Sequence, residues 1–162
     1  MYDSHKSDGY LLLFAVVLAS IVLAIGLGIF NIVNKGIVLA STGRSSQSAF
    51  YAADTGAECA LYWDRKHTGF SMTVFPTSTA SVIITSGPVC NSEDIAASWT
   101  VSNQTVNSAK TTFDLALSNG TCTTVSVLKT SGGIVTAIES LGYNTCILSN
   151  PRRIERAVRV KY

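Results

Sequence analysis

An α+β fold is what this sequence predicts, and three observations lead there. Residues 10–30, YLLLFAVVLASIVLAIGLGIF, run 21 residues without a charge. No proline interrupts the chain before Pro76, so helix-compatible sequence continues to about residue 65. Beyond that point Thr, Ser, Val and Asn dominate, in short alternating runs separated by Gly- and Pro-bearing turns, as in an antiparallel sheet. The expected architecture is a long N-terminal helix, membrane-spanning in its first half, with a small antiparallel β-sheet head packed on its second half. Three segments follow from this: a polar leader over 1–9, the helix over 10–65 with its transmembrane part at 10–30, and a β-rich extracytoplasmic head over 66–162.

The leader, MYDSHKSDG, is barely basic, and the apolar run after it is longer than the roughly 7–15 residues of a secretory signal core. As a helix, 21 residues span roughly 31 Å, which matches the hydrocarbon thickness of a bilayer. Flanking charge does not orient this segment, because Lys6 on one side faces Lys35 and Arg44 on the other. The cysteines do. Cys59, Cys90, Cys122 and Cys146 all follow the membrane segment, and an even number on one side points to disulfides in an oxidising compartment. The C-terminal part is therefore expected outside. Zinc is the lesser reading, since no two cysteines are close enough for a knuckle.

A short polar leader ending in Gly9, an aromatic Tyr10 and a long apolar helix together resemble the class III signal of type IV pilins and pseudopilins. The stretch SAFYAADTG at 48–56 is similar to the AFYAAEAG motif of type IV minor pilins. The resemblance covers residues 1 to about 65. It implies cleavage after Gly9 by a prepilin peptidase, N-methylation of Tyr10, and insertion in the inner membrane as a single-pass precursor. It further implies partnership with an assembly platform and other pilin subunits, and a final place in a cell-surface filament. The chain departs from the family at the fifth mature residue, where Phe14 stands in place of the usual glutamate. The alternative is a signal-anchored surface domain that never assembles.

Past the membrane run, helical spacing puts Phe50, Ala53, Ala57 and Leu61 on one stripe and Ser48, Ala52, Gly56, Cys59 and Trp63 on nearly the opposite one. The small-residue stripe is expected against the chain's own sheet. The first stripe, with Phe14, is expected to face neighbouring subunits as the assembly surface. A sheet wrapping more than half the helix would give the same pattern. Gln47, Asp54, Glu58 and Arg65 form a polar strip, read as solvated.

In the head, residues 66–110 read as a loose lead-in. Residues 111–117 then alternate, with Phe113, Leu115 and Leu117 on one face; Asn119-Gly120 signals a turn. Further strands are expected over 122–128, with Val125 and Val127 inward, over 134–141 after a Ser131-Gly132-Gly133 turn, and over 153–162. Four cysteines allow three pairings. Cys59–Cys90 and Cys122–Cys146 are favoured, although a hairpin centred near Gly132 sets Cys122 opposite about Gly142 and on the face away from Val125.

His5 and His67 have no triad-like neighbours, and no phosphate loop or metal-binding His pair occurs, so no enzymatic activity, cofactor, metal or small-molecule ligand is expected. The basic stretch 152–161 is read first as edge protection on a late strand and only secondarily as a nucleic-acid contact.

Overall fold

The computed structural model describes residues 8–66, 73–81, 83–130 and 136–162. The Ser131-Gly132-Gly133 turn, His5 and His67 lie outside these residues. One helix, α1, spans Asp8–Lys66, 59 residues with two basic side chains, Arg65 and Lys66, in its last turn. Among the described residues the strands are β1 (Val89–Cys90), β2 (Glu93–Asp94), β3 (Thr100–Ser102), β4 (Ser108–Ala116), β5 (Cys122–Thr130), β6 (Thr136–Tyr143) and β7 (Glu155–Lys161). The chain divides into two compact units, one ending at Gly43 and the other covering Arg44–Tyr162. The described residues of the first unit, 8–43, are all helix, and the residues from Tyr10 to Gly43 are exposed.

The second unit holds the core. Strands β3 to β7 form a five-stranded antiparallel sheet in sequential order, the expected meander with a short extra edge strand. Phe113, Leu115, Val125 and Val127 are buried, so the alternation read from the sequence is the alternation observed. The hairpin β4–β5 closes through Leu117–Gly120, where the Gly120 amide donates to Leu117 O at 3.0 Å and Gly120 takes φ 81°. That left-handed position is the one a type I turn with a G1 bulge reserves for glycine.

The described part of the lead-in, 73–81 and 83–110, is more ordered than its composition suggests. Val74, Phe75 and Ile95 are all but fully buried, and Phe75 stacks on Phe113 with ring centroids 6.3 Å apart. A two-residue turn at Asn91 and Ser92, both at positive φ, pairs β1 with β2 and sets Cys90 beside the helix. Cys59 and Cys90 are joined as a disulfide across 31 positions, as expected.

The helix face requires a correction. Ala53 and Ala57 are 0% and 3% exposed, in the same buried surface as Ala49, Ala52, Gly56, Cys59 and Ala60. The chain's own head buries Ala53 and Ala57 of the first stripe together with the small residues of the second, so these two face no neighbouring subunit; Leu61 is packed against the core, and Phe50 stays exposed. The wrapped-helix alternative is the one realised. Its physical basis is close approach. A Cβ on Gly142 would stand 2.2 Å from both Ala49 O and Ala53 N, and one on Gly56 would stand 2.6 Å from Ser140 Oγ. Small residues at Ala49, Ala52, Ala53, Gly56, Ala57 and Ala60 let strand β6 rest on helix backbone.

Candidate functional site

Two features of α1 bear on function: a bare surface, and an anchor that fixes its C-terminal turn to the sheet. The bare surface begins at the expected processing junction. Gly9 and Tyr10 lie in the first turns of α1, with Tyr10 75% exposed, and Phe14 is also exposed. Every large apolar side chain from Leu11 to Leu39 is solvent-facing. The helix is long and apolar enough to cross a membrane, consistent with single-pass anchoring. In the second unit, Phe50, Tyr51 and Tyr62 remain about half exposed on the side the sheet leaves open. Phe50 therefore keeps its expected exposure, whereas Tyr51 and Tyr62 join it unforeseen. Glu58 and Arg65 are exposed and Asp54 half-buried, in keeping with a solvated strip.

The anchor is a buried polar cluster. Asp64, on the last buried turn of α1, forms an ion pair with Lys129 of β5, and their side chains are 3% and 11% exposed. Tyr162 OH donates to Asp64 Oδ2 at 2.6 Å, Thr136 Oγ1 to the same oxygen at 3.4 Å, and Thr73 Oγ1 to Asp64 Oδ1 at 3.1 Å. Lys129 Nζ also donates to Thr73 Oγ1 at 2.7 Å, and the Arg65 guanidinium lies 4.1 Å from the Tyr162 ring centre. Every polar atom of the pair thus has a partner, the condition under which a buried charge is tolerated. Sequence reading missed this cluster, although half of it was visible. Lys129 shares the parity of Val125 and Val127, so strict alternation already places an amine on the buried face.

Burial raises the Asp64 carboxyl, but hydrogen bonds from Lys129 and Tyr162, the Lys129 charge and Thr73 outweigh it, leaving the group below the usual carboxylate range. Burial, then the hydrogen bond to Asp64 and that carboxylate's charge, push the Tyr162 hydroxyl up to about 12. The signs follow by linkage. A lowered acid stabilises above its ordinary pKa of 3.8 and loses that contribution as pH falls through its folded value. A raised phenol stabilises below its ordinary 10.0, and the contribution disappears as pH climbs to about 12. Urea midpoints of the wild type and of Tyr162→Phe should therefore converge between pH 10.0 and about 12. A constant gap across that window would contradict the assignment.

The second expected disulfide is not formed. Cys122 and Cys146 are free thiols, Cys122 half-buried and Cys146 exposed. In the sheet Cys122 pairs with Tyr143, and Cys146 lies in the loop after β6, where its thiol donates to Gly120 O at 3.7 Å. Burial first, then the Cys146 thiol, push Cys122 up to about 12. Because the thiolate is the reactive form, alkylation of the native protein near pH 8 should label Cys146 well before Cys122 and leave Cys59 and Cys90 untouched. Equal labelling rates at Cys122 and Cys146 would contradict this.

Among the described residues no group of three or more His, Cys, Asp or Glu side chains could hold a metal ion. Comparison with family models, curated proteins and solved structures finds no match to this chain.

Proposed function

We propose that this chain is a structural subunit of a type IV pilus-like surface filament, of the minor pilin or pseudopilin kind. On this reading it enters the inner membrane through residues 10–30 with its head outside. A prepilin peptidase trims it after Gly9, Tyr10 is N-methylated, and an assembly platform adds it to a filament of other pilin subunits. The observation that carries the proposal is the uninterrupted helix Asp8–Lys66, whose apolar side chains stay uncovered well past the length a bilayer needs. Burying a Leu, Ile or Phe side chain is worth about 1.5–3 kcal/mol, so such a surface demands lipid first and other helices afterwards.

A signal-anchored domain that stays in the membrane would account for residues 10–30 alone. It gives no reason for Phe50, Tyr51 and Tyr62 to be bare on the head's own helix turns. Phe14 adds a constraint. The resemblance implies that glutamate at this place meets the charged N-terminus of a neighbouring subunit, and leaving that ammonium unpaired in apolar surroundings costs several kcal/mol. Phe14 offers no carboxylate, while the Tyr10 amine can still use a partner's. The subunit pairs in one direction only, which suits a filament tip or sparse incorporation.

Co-expression with an assembly system and a glutamate-bearing major subunit should place the protein in sheared filaments. Without that subunit it should form no long filaments. Tyr62→Glu with Phe50→Glu should remove it from the sheared fraction while leaving the melting temperature of the head unchanged. Long filaments of this chain alone would overturn the one-directional role. Unimpaired incorporation of the double variant would overturn the assembly face.

A further inference from the structure

We propose that Asn119 is a self-modifying site, which deamidates through a cyclic imide formed with the backbone nitrogen of Gly120. In this step Gly120 N gives up its proton to solvent and bonds to Asn119 Cγ, and the side-chain nitrogen leaves as ammonia. One water then opens the five-membered ring at either carbonyl, giving aspartate or isoaspartate. Water enters, ammonia leaves, and nothing is oxidised or reduced.

Three features of the β4–β5 turn converge on this residue. Asn119 is the only asparagine followed by glycine, so residue 120 carries no side chain to hinder ring closure, and the space where its Cβ would stand is open. The Asn119 side chain is exposed, which lets ammonia leave and water enter. Its Oδ1 is held by two donors on Thr121, the amide at 3.1 Å and the hydroxyl at 2.6 Å, and Thr121 is itself only 4% exposed. Fixed donors on that oxygen draw charge from Cγ and stabilise the oxyanion as the ring closes. The opposing feature is the hydrogen bond from Gly120 N to Leu117 O, which must open first. It is a single bond at a solvent-facing loop tip, where opening is frequent.

The other asparagines of the head lack this combination. Asn144 is engaged at both ends, donating to Arg152 O and accepting from Ile154 N. Asn91 donates to Ala116 O, and Asn150 precedes Pro151, which has no N–H. The product matters locally because Gly120 O is the acceptor for the Cys146 thiol. An isoaspartate lengthens the backbone beside that carbonyl and alters the setting of the Cys122–Cys146 pair.

The test is peptide mass spectrometry on the full chain in detergent, aged at mildly alkaline pH, alongside the same protein in urea. A gain of one mass unit should be confined to the peptide holding Asn119, and isoaspartyl methyltransferase should label that peptide. Thr121→Val, checked by melting for an intact fold, should slow the folded reaction several-fold and leave the urea rate unchanged. Conversion in urea with none in the folded protein would overturn the proposal, since the turn would then protect Asn119. A folded rate unaffected by Thr121→Val, or equal conversion at other asparagines, would overturn it as well.

Discussion

Lys129→Met should destabilise the head by about 3–5 kcal/mol, the usual cost of removing one partner from a buried ion pair. The substitution strands Asp64 at 3% exposure with a charge and no cation, while Tyr162, Thr136 and Thr73 still donate to it. Against a typical total of about 5–15 kcal/mol, that loss is a large share of the head's stability. The double variant Asp64→Leu with Lys129→Met should recover most of it, because the desolvation of both ions disappears with their attraction. Urea unfolding of the two singles and the double, compared as a cycle, measures the coupling. A single-variant loss below about 1 kcal/mol would mean the pair behaves as a surface salt bridge.

Gly142→Ala should be nearly as damaging for a steric reason. The new methyl carbon would stand 2.2 Å from Ala49 O and Ala53 N and 2.8 Å from Ala53 Cα, all backbone atoms that cannot rotate away. Overpacking typically costs about 1–3 kcal/mol when side chains can shift, and here the helix itself must move off β6, so the upper end or beyond is expected. Gly56→Ala meets side chains instead, Ser140, Thr123 and Val125 at 2.6–2.7 Å, and should cost less. The ordering Gly142 above Gly56 in loss of urea midpoint is the check. The reverse ordering would place the tightest helix–sheet contact elsewhere.

The same glycine shows where sequence reading succeeds and stops. Alternation of 111–117 and 122–128 identified the inward residues Phe113, Leu115, Val125 and Val127, because a half-buried strand has no other way to satisfy both faces. A hairpin centred near Gly132 sets Cys122 opposite about Gly142, one residue from its observed partner Tyr143. A single-residue slip exchanges faces, and only the observed register turns Gly142 toward the helix. It also carries Cys122 and Tyr143 together to the outer face, and Cys146 lies in the following loop. Phe75 and Ile95 were hidden by their surroundings, since a core residue in an irregular segment has no periodicity to betray it. Asp64 was hidden for a different reason: its partner Lys129 lies 65 positions away, and no local pattern joins them.

The bare helix is the part of the candidate site most fully written in the sequence, through the run at 10–30 and the SAFYAADTG motif at 48–56. What the motif does not reveal is that Ala53 and Ala57 serve the chain's own head. Any assembly surface on these turns is thereby narrowed to Phe50, Tyr51 and Tyr62.

The mass of the mature protein, purified from membranes of a host with an active prepilin peptidase, tests the filament-subunit account most directly. The account predicts a chain lacking residues 1–9 and beginning at an N-methylated Tyr10. An intact chain that still carries MYDSHKSDG under those conditions would contradict it and leave a membrane-anchored domain in its place.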